Sequence, residues 1–409
     1  MYDWVVLWEW VEIAARWLHV ITAIAWIGSS FYFIALDLGL HRDRNLASGA
    51  DGEEWQVHGG GFYHIQKYLV APASMPDHLV WFKWESYATW LSGFAMLVLV
   101  YYLGAELYLI DPTVMELSTW QAVAISLASL AFGWVAYNTL CKVFVNANQT
   151  VLMVALFVVL VGMAWFYTQV FSGRAALLHL GAFTASIMSG NVFFIIMPNQ
   201  RIVVADLKAG RKPDPKYGKI AKQRSTHNNY LTLPVVFLML SNHYPLVFAT
   251  EWNWVIASLV FLMGVTIRHW FNTSHARKGN PHWTWGVTVI LFLIIAWLST
   301  SPMRAVEDQA MNGAALTYAS AEGFEDVVGI VQGRCSMCHA AEPGWEGVHW
   351  APKGVVLETE AQIAQEARRI YLQSGISHAM PPGNLSYMEP EERAAIVRWF
   401  RAAGISDPI

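Results

Sequence analysis

Eight apolar runs, each long enough to cross a bilayer as a helix, constrain this chain more than any other feature. They fall near 11–36, 87–110, 119–140, 148–171, 175–198, 229–250, 252–272 and 282–300. A hydrocarbon core takes roughly 20 helical residues, and lipid offers no partner to a free backbone group, so each run is predicted to be helical. Residues 1–300 are therefore expected to form an eight-span, polytopic transmembrane helix bundle, making the fold all-α. Composition agrees: hydrophobic residues make up 55% and charged ones 14%, too apolar for an ordinary soluble enzyme. The 21 tryptophans suit anchoring at membrane interfaces. Lys and Arg sit in short loops rather than in a stripe, so membrane lipid is an expected partner and nucleic acid is not. The N-terminus has no basic stretch before its apolar run and no small-residue cleavage site. The first helix is expected to remain as an anchor.

Past the last run the character changes. Cys335-Ser336-Met337-Cys338-His339 spells CxxCH, whose two thiols can form thioethers to the vinyl groups of a haem while the histidine ligates the iron. Met380, followed by Pro381 and Pro382, is the expected sixth ligand; His349, His378, Met337 and Met388 are the competitors. Methionine opposite histidine raises the potential of the iron, as suits an electron acceptor. A thioredoxin-type pair or half a zinc site are the other readings of CxxC. However, no βαβ pattern surrounds it and no second CxxC exists. The third cysteine, Cys141, reads as a buried thiol. Helices are expected from about Ala321 into the motif and over Glu391–Ala403, the latter bracketed by Pro390 and Gly404. Residues 320–409 thus resemble a class I cytochrome c, carrying covalent haem c and joined by a tether over 301–319.

Charge gives the orientation. Arg42, Arg44, Lys67 and Lys83, then Lys142, then a dense run from Arg201 to Arg224, then Arg277 and Lys278 occupy one alternate set of connections; Arg174 is alone in the other. Basic loops stay in the cytoplasm. Both termini are then outside, placing the cytochrome domain in the periplasm of a bacterial inner membrane.

Ionisable groups inside spans are costly and usually functional. His19, His179 and His243 are expected at similar depth in the outer leaflet, where they are candidate ligands of a b-type haem; the alternative is that each bonds a backbone carbonyl between helices. At the cytoplasmic ends lie His227, Arg268, His269 and His275, the candidate catalytic group. Arg268, Asn272 and His275 fall at i, i+4 and i+7, on one helical face that could hold a small anion. Complementing the helix dipole is the competing role. His64, Lys67, His78, Lys83 and Glu85 in the 37–86 connection are further candidates, and that connection has room for a small structured element. Pro234 is expected to kink the sixth span.

The chain closely resembles the bacterial membrane-bound, cytochrome c-fused urate oxidases. The resemblance is carried by Gly59-Gly60-Gly61-Phe62-Tyr63-His64, by Trp81-Phe82-Lys83-Trp84-Glu85, and by His227-Asn228-Asn229-Tyr230 through Ser241-Asn242-His243-Tyr244-Pro245. More loosely, Trp17-Leu18-His19-Val20 with Trp26-Ile27-Gly28 is similar to the first span of bacterial membrane protoporphyrinogen oxidases, where the histidine binds haem b. The main resemblance implies oxidation of urate to 5-hydroxyisourate in purine breakdown, with electrons passing to the fused haem instead of directly to dioxygen. A terminal oxidase or a soluble carrier would then reoxidise that haem. Composition and spacing do not reveal urate. On the residues alone, a quinol-oxidising respiratory cytochrome subunit and a transporter with a redox-sensing cytochrome remain open.

Overall fold

The structure, a computed structural model, describes residues 4–42, 45–68, 76–145, 148–300, 311, 313–346, 348 and 350–403. A helix occupies each of the eight predicted segments. α1 is Trp4–Gly39; α2, Trp84–Met96, continues through a π-helical turn, Leu97–Tyr102, towards the short α3, Ala105–Tyr108. α4 is Thr119–Val143 and α5 is Gln149–Thr168. α6, Gly173–Gly190, passes through a second π turn, Asn191–Ile196, into α7, Met197–Lys208. α8 is Pro215–Ser241, followed by the single turn α9, Pro245–Phe248, then α10, Asn253–His275, and α11, Trp283–Ser299.

Among the described residues, 5 helical stretches are long and apolar enough to cross a membrane: α1, α4, α5, α6–α7 and α10. α11 is apolar but shorter. The other two expected spans differ from the expectation for local reasons. The second is divided by its π turn and by Gly104. The sixth ends at Ser241, because His243 N–H bonds back to Leu240 and Tyr244 N–H to Ser241, closing a turn before Pro245 starts α9. His243 therefore sits in a turn and not within a span.

Among the described residues, the all-α expectation has one exception. Within the 37–86 connection, β1 (Ala50–His58) pairs antiparallel with β2 (Gly61–Tyr68), in register from Ala50↔Tyr68 to His58↔Gly61. Gly59 and Gly60, at φ 57° and 79°, form the two-residue turn, which needs left-handed backbone at both positions. Lys67 of β2 and Lys222 of α8 both ion-pair with Asp37 at the end of α1, tying the hairpin to the bundle.

The main core lies between α4, α5 and α6, where Leu156, Tyr167, Leu180 and Phe183 are fully buried. α1 is peripheral and buries none of its residues completely. α8 and α10 approach closely where Pro234 meets Gly264: a Cβ on Gly264 would lie 2.5 Å from the proline Cδ. With no hydrophobic driving force between helices in lipid, small residues at crossings are what permit such contact.

The C-terminal unit has its own core of Val327, Val331, Ile363, Tyr371, Ile396 and Trp399. Its helices are α12 (Gly313–Ala319), α13 (Phe324–Arg334), α14 (Glu360–Gln365), α15 (Ala367–Ile370), extended by a π turn over Tyr371–Ile376, and α16 (Pro390–Ala402). The expected tether at 301–319 is thus shorter than its sequence suggested. Ala315 and Tyr318 of α12 are buried in this core, and Trp399 Nε1 donates to the Tyr318 carbonyl at 2.9 Å. Residues 301–310 and 312 lie outside those described. The unit rests on the bundle end that holds the start of α1. Arg368 pairs with Glu9 at 3.4 Å and Glu12 at 3.2 Å, and Gly354 abuts Pro245.

Candidate functional site

In the C-terminal unit, the last turn of α13 presents the CxxCH residues. Cys335 N–H closes that turn on the Val331 carbonyl, and the N–H groups of Cys338 and His339 both donate to the Cys335 carbonyl. The thiols and the imidazole therefore share one turn. His339 Nδ1 donates to the Val355 carbonyl at 2.8 Å, which fixes the tautomer and leaves Nε2 as a lone-pair donor, the usual preparation of a metal-ligating histidine. Burial, then the neighbouring Cys338, pushes the Cys335 thiol up to about 11. A thioredoxin-type thiolate has the opposite shift. Among the described residues, no group of three or more His, Cys, Asp or Glu could hold a metal ion.

The competing sixth ligands separate by position. Met337 is 49% exposed and Met388 is 3% exposed within the core. His378 is exposed, and His349 lies outside the described residues. Met380 is half-buried on a loop that is held at both ends: its N–H donates to Gln373, and its carbonyl accepts from the buried Arg393, which also grips Ser374 and Asn384. This donor set suits a covalently attached haem, with Cys335 and Cys338 as attachment points and His339 and Met380 as iron ligands.

Two polar clusters occupy the other half of the bundle. In the first, Arg268 of α10 donates from Nε to Asn229 Oδ1 at 3.3 Å and from Nη2 to Asn272 Oδ1 at 3.1 Å, while Asn272 Nδ2 donates to Asn229 at 2.8 Å. The guanidinium lies 3.9 Å from the Phe31 ring centre and is 4% exposed. Asn229 Nδ2 is buried and unpartnered. Further along the same face, His275 lines a cleft of about 330 Å³ with Tyr32, Glu54, Gln56 and Ser274; its Nδ1 and the Glu54 Oε2 are also unpartnered. His269 faces away, exposed, 3.5 Å from the Tyr230 hydroxyl.

The second cluster centres on Tyr137. Its hydroxyl donates to His227 Nδ1 at 2.8 Å and accepts from Asn191 Nδ2 at 3.0 Å. Arg224 donates to Asn191 and Asn138 and covers the tyrosine ring. His227 Nε2 is buried without a partner. Two positions on a helix are roughly 200° apart, so His227 and Asn229 face opposite sides of α8. His227 and Arg268 consequently do not share a pocket.

The three histidines expected at similar depth differ from one another. His179 is fully buried and uses both nitrogens, Nδ1 on the Ala175 carbonyl and Nε2 on Ser126 Oγ. His19 Nδ1 bonds the Thr89 carbonyl and Ser92 Oγ on α2, its ring packed over Gly93; its Nε2 has no partner among the described residues. His243 is half-buried in the α8–α9 turn. Of the three, His19 alone combines a hydrogen-bonded Nδ1 with an Nε2 for which the described residues offer no partner.

The model of the urate oxidase N-terminal family matches residues 5–299, the whole helical bundle and its hairpin. The chain belongs to the urate oxidase N-terminal family. No curated protein and no solved structure matches it. Membership covers α1 to α11 and stops short of the C-terminal unit, so the family assignment and the CxxCH motif are independent. Sequence reasoning missed the Tyr137 cluster of this urate oxidase-related bundle. The available signals were Asn138 and Asn191, amides inside apolar runs, and a π turn widening the helix at Asn191, a distortion frequent at functional sites.

Proposed function

We propose that this urate oxidase-related membrane protein converts urate to 5-hydroxyisourate and passes the electrons to a haem attached at Cys335 and Cys338. The oxidation is balanced with water: urate and one water give 5-hydroxyisourate, two protons and two electrons. A haem held by His339 and Met380 would accept those electrons one at a time. The reading also takes all eight helices as spans, with both ends of the bundle chain on the periplasmic face of a bacterial inner membrane. Reoxidation would fall to a terminal oxidase or a soluble carrier.

The observation that carries the substrate assignment is the Arg268 cluster. Urate is a planar anion edged with carbonyls and N–H groups. A buried guanidinium oriented by two amides, with an unpartnered Asn229 N–H and a cleft carrying an imidazole, supplies the charge and the mixed donors and acceptors that such a ring needs. Arg268, Asn229 and Asn272 bind, and His275, whose Nδ1 is unpartnered, takes a proton from urate or the attacking water. Exposed His269 faces away from this cluster and takes no step in it, and His227 serves the neighbouring Tyr137 network.

Turnover under argon in ¹⁸O-labelled water, with an artificial electron acceptor, tests the reading. The expected result is conversion of urate with the label in the 5-hydroxyl group. Conversion only when dioxygen is admitted would overturn it.

A further inference from the structure

We propose that Glu54 of the hairpin is a further substrate-binding residue, whose carboxylate accepts a ring N–H of the planar heterocycle held in the cleft beside His275. The proposal rests on the urate reading and extends that site from the Arg268 wall to β1. The cleft, about 330 Å³, lies at the lower end of the range for small-molecule sites. Three elements build it. α1 gives Tyr32 and Gly39, α10 gives Ser274 and His275, and the hairpin gives Glu54 and Gln56. It begins about one turn past Asn272, the amide on which Arg268 leans.

The carboxylate is aimed before a ligand arrives. His41 N–H donates to the Glu53 carbonyl at 2.8 Å and Glu53 N–H to the His41 carbonyl at 3.0 Å, which holds β1 to the segment leaving α1. The Tyr32 hydroxyl donates to Gln56 Oε1 at 2.7 Å, and Gln56 Nε2 is thereby turned to Glu54 Oε1 at 3.3 Å. The other carboxylate oxygen, Oε2, is buried without a hydrogen bond. It lodges over Gly39, where a Cβ would lie 3.3 Å from it and 3.7 Å from the His275 carbonyl. Glycine at that position lets the hairpin carboxylate and the end of α10 meet. His275 Nδ1 is unpartnered too. Buried polar atoms are ordinarily paired, and two orphans lining one cleft indicate a ligand that bonds both.

Donor and acceptor balance gives the role. A carboxylate only accepts, so what Oε2 lacks is an N–H or O–H. The Arg268 wall offers the reverse: its amide oxygens already accept from Arg268, and what it presents to a ligand is the guanidinium and Asn229 Nδ2. Carbonyl edges of a heterocycle suit that wall, and an N–H edge suits Glu54. Arg277 lines the same cleft and brings a cation to offset the carboxylate.

The test uses the full-length protein purified in detergent and kept reduced with dithionite under argon, so that urate is bound and not consumed. Equilibrium dialysis with [¹⁴C]urate gives the affinity of wild type, Glu54→Gln, Glu54→Asp and Arg268→Lys, and each of the monomethylurates is then used as competitor. Urate affinity is expected to fall at least tenfold in Glu54→Gln. An equal fall is expected in Glu54→Asp, which keeps a carboxylate and withdraws it from the cleft. For the monomethylurate whose methyl replaces the bonded N–H, Glu54→Gln should match wild type within about twofold. Urate binding in Glu54→Gln equal to wild type overturns the proposal. So does one penalty common to urate and every monomethylurate, the mark of a purely structural role. If no monomethylurate competes in wild type, the urate affinities alone decide. Wild type that binds no urate overturns the underlying reading as well, whereas loss in Arg268→Lys alone overturns only the role of Glu54. If Glu54→Gln does not elute as a monodisperse species, Glu54→Asp and Gly39→Ala, which crowds Oε2 from the α1 side, decide by the same criterion.

Discussion

Arg268 has its Nε and one Nη committed to amide oxygens and its plane against Phe31, so its orientation is set before any ligand arrives. Arg268→Lys keeps the charge and loses the fork. With charged hydrogen bonds contributing about 1.5–3 kcal/mol each, urate affinity is expected to fall roughly 10- to 100-fold, measured by equilibrium dialysis; unchanged affinity would move the urate site elsewhere. Asn272→Ala removes one neutral partner, and a loss nearer about 1 kcal/mol is expected in the same assay. The sequence made Arg268 readable because an arginine in an apolar run, spaced at i+4 and i+7 from Asn272 and His275, can only be costly or useful. Asn229 was beyond reach from spacing, since its contact with Arg268 spans two helices. In the sequence Arg224 belongs to a run of loop charges; α8 begins at Pro215, two and a half turns earlier, and draws it inside to Tyr137.

At the scale of elements, the helices were legible and their interruptions were not. Apolar length marks a span, but the π turns at Leu97–Tyr102 and Asn191–Ile196 depend on which polar side chains neighbouring helices accept. The hairpin has a visible signal in Gly59-Gly60, masked by the aromatic residues around it, of which Trp55, Phe62 and Tyr63 remain exposed. The α8–α10 crossing permits a direct test. Gly264→Val would place methyl groups against the Pro234 ring, and overpacking of this kind costs about 1–3 kcal/mol. A lowered melting temperature in detergent is expected; an unchanged one would show that the helices are further apart. In α16, burial raises the Glu392 carboxyl, but the Arg334 hydrogen bond, the Glu389 N–H and the Arg334 charge outweigh it, holding the group below its ordinary 4.5. The ion pair therefore stabilises the unit above that ordinary value and stops doing so as pH falls through the depressed one. The pair lies at the surface with its side chains 31% and 22% exposed, where solvent screens it, so the effect is small. Glu392→Gln is expected to flatten the acid limb of the melting temperature of the C-terminal unit below about pH 4.5, as followed by calorimetry. A limb as steep as wild type would assign it to other carboxylates.

Across the whole molecule, the central relation is between a bundle that holds the polar clusters and a C-terminal unit that carries the CxxCH turn. Arg368 joins them through Glu9 and Glu12 at the start of α1, and Pro245 meets Gly354 beside the α8–α9 turn. Arg368→Glu would set like charges against each other at that contact, and intramolecular electron transfer is expected to slow by about tenfold or more, with rescue at high salt. The measurement that bears most directly on the proposed wiring is the optical spectrum of the purified full-length protein, mixed with urate under strict anaerobiosis. The expected result is reduction of the covalently bound haem, two haems per urate consumed, in the α-band of a c-type centre. Urate consumed while that haem stays oxidised, or cysteines 335 and 338 found unmodified in active protein, would contradict it.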